Sequence, residues 1–169
     1  MKRLIVALFV VCMFSQVSLW AADEPKAEVF GGFSALTLNP TAGTRVTPLG
    51  WQGSVAGSVN NMVSLVADFG GQYKNSTHAY EYLGGVQVSS RADKMSFFGH
   101  ALFGAATGGS STAANTTGFM MGYGGGIDLK AGDKVAVRAI QFDWLPSKDN
   151  GAWETNQLRF GFGLVFLSK

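Results

Sequence analysis

Bulky apolar residues alternate with small or polar ones, with a period of two, along most of the chain after residue 23. The pattern is clearest near the end. Leu158, Phe160, Phe162, Leu164 and Phe166 share one face, while Gln157, Arg159, Gly161, Gly163 and Val165 share the other. In Met62–Tyr73, the set Val63, Leu65, Ala67, Phe69 and Tyr73 opposes Ser64, Asp68, Gly70 and Gln72. The same split recurs in Trp51–Asn60, Ala79–Ser89, Gly118–Leu129 and Val135–Leu145. Sustained alternation predicts strands with two different environments, and no stretch carries a convincing helical period. With Ala27–Leu36, Met95–Ala106 and Asn156–Phe166, eight strands of about ten residues are expected. All four prolines (Pro25, Pro40, Pro48 and Pro146) fall outside them, as the loss of a backbone donor requires.

Two of these segments are irregular. Met95–Ala106 places Phe97 and Phe103 in one register and Phe98 and Leu102 in the other, which a bulge near Gly99 would reconcile. Ala27–Leu36 has Phe30 and Phe33 on opposite faces.

The connections alternate in length. Asn60-Asn61, Ser90–Lys94 and Lys130–Lys134 are short, whereas Thr37–Gly50, Lys74–His78, Thr107–Thr117 and Pro146–Thr155 are mostly longer and polar. The small-residue face carries Gly122, Gly124, Gly126, Gly161 and Gly163. Glycines there would weaken a water-facing strand surface, but they suit the interior of an eight-stranded barrel, which is just wide enough for side chains. The bulky face then points to lipid, and Trp51, Tyr73, Tyr80, Phe119 and Trp144 collect at one rim as an expected aromatic belt. In lipid an open sheet edge is not viable, so the first strand must pair with the last. The expected fold is all-β, an eight-stranded antiparallel up-and-down transmembrane β-barrel.

Composition sharpens this. Residues 1–21 read as an export signal: Lys2-Arg3, an apolar run from Leu4 to Phe14, then small Ala21-Ala22. Residues 22–169 form the barrel domain. The chain has 13 basic residues; without Lys2 and Arg3, 11 remain against 11 acidic ones, so the excess of positive charge belongs to the signal. That removes the case for a nucleic-acid partner. Cys12 lies within the signal, leaving the exported part without a disulfide.

The segments AEVFGGFSAL, VADFGGQY, FFGHALFGAA, VRAIQFDWL and LRFGFGLVF together resemble the small eight-stranded outer-membrane β-barrel family, of the OmpA transmembrane-domain and OmpX kind. The resemblance covers nearly all of the exported chain. It implies residence in the bacterial outer membrane and contact with its lipid. It also implies handling by the barrel-assembly machinery, with Phe166 as the terminal-strand signal ahead of Leu167-Ser168-Lys169.

The inward set includes Asp68, Glu81, Asp128, Gln141, Asp143 and Arg159. A packed ion-pair network is expected there, because unpaired buried charges are costly; a narrow water path is the alternative. Arg138 shares parity with Ile140 and Phe142 and is expected to snorkel to the interface. The two histidines, His78 and His100, form no Ser/His/acid spacing, and with no cysteine they offer no metal set. GYGGGID lacks the strand-to-helix context and the Lys-Ser/Thr of a phosphate cradle. No catalysis, cofactor or metal is expected. Recognition would fall to loop residues such as Arg45, Lys148, Asp149 and Trp153. The expected role is structural or surface-interacting, in a monomer with at most narrow conduction. The alternatives are a soluble periplasmic ligand-binding barrel and a lipid-modifying enzyme.

Overall fold

The computed structural model describes residues 25–38, 46–110, 113–149 and 151–168; residues 1–21, expected to be an export signal, Pro40 and Arg45 lie outside them. Eight long strands dominate: β1 (Ala27–Leu38), β2 (Leu49–Ser58), β3 (Val63–Lys74), β4 (Thr77–Arg91), β5 (Met95–Ser110), β6 (Ala113–Lys130) and β7 (Val135–Trp144), then, after the short β8 (Ser147–Asp149) and β9 (Ala152–Glu154), β10 (Gln157–Ser168). Each long strand pairs antiparallel with its chain neighbours. β1 pairs with β10 without a break from Ala27↔Ser168 to Leu38↔Gln157, which closes the barrel. The expected eight-stranded antiparallel barrel is the observed fold.

The chain ends and three tight turns share one end. At the first turn Asn60 Oδ1 accepts hydrogen bonds from the Met62 and Val63 amides at 2.9 and 2.8 Å. The Ala92 amide closes the second on Met95, and the Ala131 and Gly132 amides close the third on Val135. The opposite end is more strand than loop. β3 and β4 are joined by Asn75-Ser76 alone, with Asn75 at φ 54, a left-handed turn position that asparagine tolerates. β5 and β6 run to 16 and 18 residues, beyond the roughly 9–11 that a tilted strand needs to cross a bilayer. The long polar loop read over Thr107–Thr117 is therefore mostly a protruding ribbon. Its described Gly, Ser and Thr residues pair through backbone, and beyond the bilayer they need not alternate. Pro146–Thr155 likewise contains the β8–β9 hairpin, whose β8 pairs with β6 at Phe119↔Lys148.

Alternation sorts the barrel wall. Outward positions carry Val29, Phe33, Val55, Leu65, Phe69, Tyr82, Val86, Phe97, Phe103, Tyr123, Ile140, Phe142, Phe160, Phe162 and Leu164, all substantially exposed. Among the described residues, the outward positions between the two rims hold no charged side chain.

Two expectations about register are corrected. β5 has no bulge at Gly99: Phe98↔Gly126, Gly99↔Gly125 and His100↔Gly124 follow in strict order. Phe98 and Leu102 simply point inward. They fit because β6 offers bare backbone opposite them; a Cβ on Gly126 would lie 2.8 Å from the Phe98 ring. The bulge lies instead in β7. Ile127 pairs with Ile140 but Asp128 with Arg138, so Ala139 is the extra residue, and Ala139 and Ile140 both face outward. That step reverses the parity of everything before it and turns Arg138 into the barrel.

Candidate functional site

The interior is layered. Toward the loop end, Leu36, Leu83, Leu102, Met120 and Leu145 form an apolar plug. Gly122 makes room for it, since a Cβ there would stand 3.2 Å from the Leu145 side chain. Toward the other end, Phe30, Ala136 and Val165 form a smaller apolar cluster.

Between them lies a polar network centred on Arg159, which is fully buried. Its Nη1 donates to Asp68 at 2.9 Å and to Glu81 at 2.6 Å, and its Nη2 and Nε donate to Asp143 Oδ2 at 2.7 and 2.9 Å. One guanidinium from β10 thus ties β3, β4 and β7 together across the lumen. Gln52 Nε2 donates to Asp68 at 2.7 Å, and Gln141 Nε2 to Asp143 at 2.8 Å. His100 Nε2 is 2.8 Å from the other Asp143 oxygen.

Asp128 lies apart from Arg159. Arg138 grips it with Nε and Nη2 at 2.8 and 3.0 Å and donates through Nη1 to Gln141 Oε1 at 2.8 Å. The Arg138 guanidinium sits between the rings of Phe30 and Phe98, 4.3 and 4.1 Å from their centroids. All six inward polar residues singled out from the sequence, Asp68, Glu81, Asp128, Gln141, Asp143 and Arg159, are buried and linked in one chain of hydrogen bonds. The link between its halves is Arg138, which the sequence reading placed outside. Strand parity could not find it, because one bulge residue inverts the count. His100 was missed for a related reason: the mixed register of its segment hid its direction. Gln52 and Gln72 were legible as inward. Gln72 donates to Ser34 Oγ at 2.7 Å. Near the termini, Arg91 Nη2 donates to Glu28 at 2.8 Å and Nη1 to the Asn61 carbonyl at 3.1 Å. Gln52 Oε1, Gln72 Oε1 and Glu81 Oε1 have no hydrogen-bond partner among the described residues.

The belt residues ring the loop end. Tyr73 and Tyr80 pack edge-on at 5.9 Å, with the Tyr73 hydroxyl 3.4 Å from that of Tyr80. The Trp51 indole lies over Gly71. Trp144 stacks near Tyr123 at 6.0 Å and donates its indole N–H to the Thr155 carbonyl at 2.6 Å. Phe119 meets Trp153 edge-on at 6.4 Å, and Lys148 Nζ stands 5.9 Å from the Trp153 ring. Phe166 faces outward on the last strand, paired with Val29 and Val135.

Among the described residues, two cavities lie above the plug. A cavity of about 560 Å³ is lined by Leu38, Val46, Pro48, Lys74, His78 and Ala79, among others. A second of about 170 Å³ shares Leu38 and Ala79 with it and reaches Leu36, Met120 and Lys148. Among the described residues, no group of three or more His, Cys, Asp or Glu side chains is placed to hold a metal ion.

An uncharged apolar wall, aromatic at one rim and closed around an ion-paired interior, defines a transmembrane β-barrel of the eight-stranded kind. Solved structures share that architecture. Neisserial surface protein A superposes with a TM-score of 0.70 at 8% identity, covering 85% of this chain and 97% of its own. The N-terminal β-barrel domain of Pseudomonas aeruginosa OprF gives 0.60 at 12% identity, over 84% and 97%. Ail, the attachment invasion locus protein of Yersinia pestis, gives 0.58 at 15% identity, over 85% and 98%. All three are small eight-stranded outer-membrane β-barrels, as the sequence resemblance implied. No family model matches the chain, and no curated protein matches it in sequence.

Proposed function

We propose that the chain is a monomeric integral protein of the bacterial outer membrane, non-catalytic and closed to solutes, whose working surface is its loop end. The observation that carries this reading is the span of Arg159. A fully buried guanidinium reaching from β10 to Asp68, Glu81 and Asp143 occupies the cross-section that a pore would need. The apolar plug above it and the Arg138–Asp128 pair below it add two further barriers.

The uncharged outer wall and aromatic rim support a lipid environment, and outward Phe166 on the closing strand supports its reading as the signal for the assembly machinery. Against an enzyme, His100 is committed to Asp143, while His78 packs on Tyr80 at 5.5 Å. Neither pairing resembles a nucleophile with its base.

Envelope fractionation followed by planar-bilayer recording tests the proposal. The protein is expected in the outer-membrane fraction, with no stable conductance steps. Stable steps from the wild-type chain would overturn the closed lumen, and recovery in the soluble periplasmic fraction would overturn the membrane seat.

A further inference from the structure

We infer that a groove on the outer wall, running across β1 to β4, holds one acyl chain of a bilayer lipid from the loop-side leaflet, with the chain's carbonyl at the Tyr73–Tyr80 hydroxyls. The inference rests on the membrane seat proposed above. The groove measures about 520 Å³, and its lining residues all lie in described strands. Val29, Val55 and Phe69 wall it, with Trp51, Tyr80 and Tyr82 toward the aromatic rim. Phe69 and Tyr82 pack edge-on at 6.4 Å and close the β4 side. On the floor, outward Gly53 pairs with outward Gly31 across β1 and β2. Glycine weakens a strand, and the barrel does not require it at either place. A Cβ at Gly31 would meet nothing within 4 Å, and one at Gly53 only the Phe30 carbonyl at 3.5 Å. The outward pair Gly99↔Gly125 differs, because a Cβ on Gly125 would collide with the Phe98 carbonyl. At positions 31 and 53 the sequence thus keeps room for something outside the chain.

Place selects the occupant. The groove is continuous with the wall that faces lipid, and its apolar lining takes up an alkyl chain by the ordinary hydrophobic term. From Trp51 at the rim, the groove descends β2 as far as Val55. That is about 13 Å along a strand, less than half the roughly 30 Å of hydrocarbon in a bilayer. The occupant is therefore a chain of the loop-side leaflet. At the rim, the Tyr73 and Tyr80 hydroxyls meet at 3.4 Å. One phenol proton serves that contact, and the other can be donated to the carbonyl of an ester-linked chain. A second outer-wall groove of about 500 Å³, with Phe33, Ile140, Phe160 and Phe162 in its lining, has no tyrosine among its described lining residues and offers no such anchor.

The test is native mass spectrometry of the chain released from nanodiscs of dimyristoyl phosphatidylcholine, with the folding of each variant first verified by the gel shift between boiled and unboiled samples. A wild-type chain that does not fold there counts against the membrane reading, whereas a folded chain without retained lipid counts against the groove alone. Gly53→Leu fills the groove and should carry one lipid fewer than the wild type. Gly31→Leu fills it from the facing strand and gives the same reading should Gly53→Leu not fold. Gly57→Leu, at an outward glycine beyond the groove whose Cβ would also meet nothing within 4 Å, should keep the wild-type number. Replacing both tyrosines, Tyr73→Phe with Tyr80→Phe, should release the lipid about fivefold faster, the usual worth of one hydrogen bond. Equal lipid numbers in Gly53→Leu and wild type, an equal loss in Gly57→Leu, unchanged release from the tyrosine variant, or dimers of the chain in place of lipid adducts would overturn the inference.

Discussion

His100 of β5 and Asp143 of β7 are hydrogen-bonded at 2.8 Å across the strand that separates them, over the bare backbone of Gly124. The contact exists because residue 124 has no side chain: a Cβ there would collide with Asp143 Oδ1 and with the Phe142 carbonyl. Glycine on this face is thus a spatial requirement of the polar network.

Gly124→Ala should destabilise the barrel by about 1–3 kcal/mol, the usual cost of overpacking. Gly31 provides the contrast, since a Cβ there meets nothing within 4 Å. Gly31→Ala should be neutral or stabilising by roughly 0.5 kcal/mol, through the lower chain entropy of alanine. Urea titrations of the protein refolded in lipid vesicles would measure both; equal effects would refute the spatial argument.

Arg159→Met leaves Asp68, Glu81 and Asp143 buried without their cation. A loss of about 3–5 kcal/mol is expected, as for a buried pair broken on one side. Asp143→Asn in the Arg159→Met background should cost much less than Asp143→Asn alone, and a double-mutant cycle reads that coupling directly. Additive losses would mean that the observed bonds contribute little.

The bulge at Ala139 makes a prediction of sign. An arginine facing lipid costs about 2–4 kcal/mol at the bilayer middle and about 0–1 kcal/mol near the interfaces, so its replacement by leucine would be neutral or stabilising at an outward position. Arg138 is 4% exposed and holds Asp128 with two hydrogen bonds. Arg138→Leu should therefore destabilise, and a stabilised variant would place the side chain outside.

Phe142 and Phe160 pair edge-on across β7 and β10 on the outer wall, 5.1 Å apart. Phe160→Leu keeps most of the apolar area but loses the ring pair, and about 0.5–1.5 kcal/mol should follow. The same change at Phe162, whose partner Phe33 is tilted at 5.9 Å, should cost less. Unfolding free energies in a single lipid compare the two sites.

Much of this architecture is written in the alternation itself. Eight strands, their faces and the closing pair follow from period two joined to the impossibility of an open edge in lipid. The polar residues of the network were legible because Asp68, Glu81, Asp143 and Arg159 sit in strictly alternating stretches. What parity could not supply was anything that depends on a single inserted residue. Ala139 carries no mark that distinguishes it from a regular strand residue, yet it decides where Arg138 points. Phe98 and Leu102 misled for the opposite reason: size suggested the lipid face, whereas the glycines of β6, a strand away, create the room that receives them. The ribbon over Thr107–Thr117 was read as loop because pairing outside both core and bilayer leaves no apolar signature.

The central claim is that the bulky face contacts lipid while the network seals the interior. A chain in which every native tryptophan is replaced by phenylalanine, with one tryptophan introduced as Phe162→Trp, reports on that face directly when refolded into vesicles of brominated lipid. Bromine should quench its fluorescence strongly, and unboiled samples should migrate differently from boiled ones on a gel. An unquenched tryptophan in a water-soluble protein, with no difference on boiling, would contradict the account.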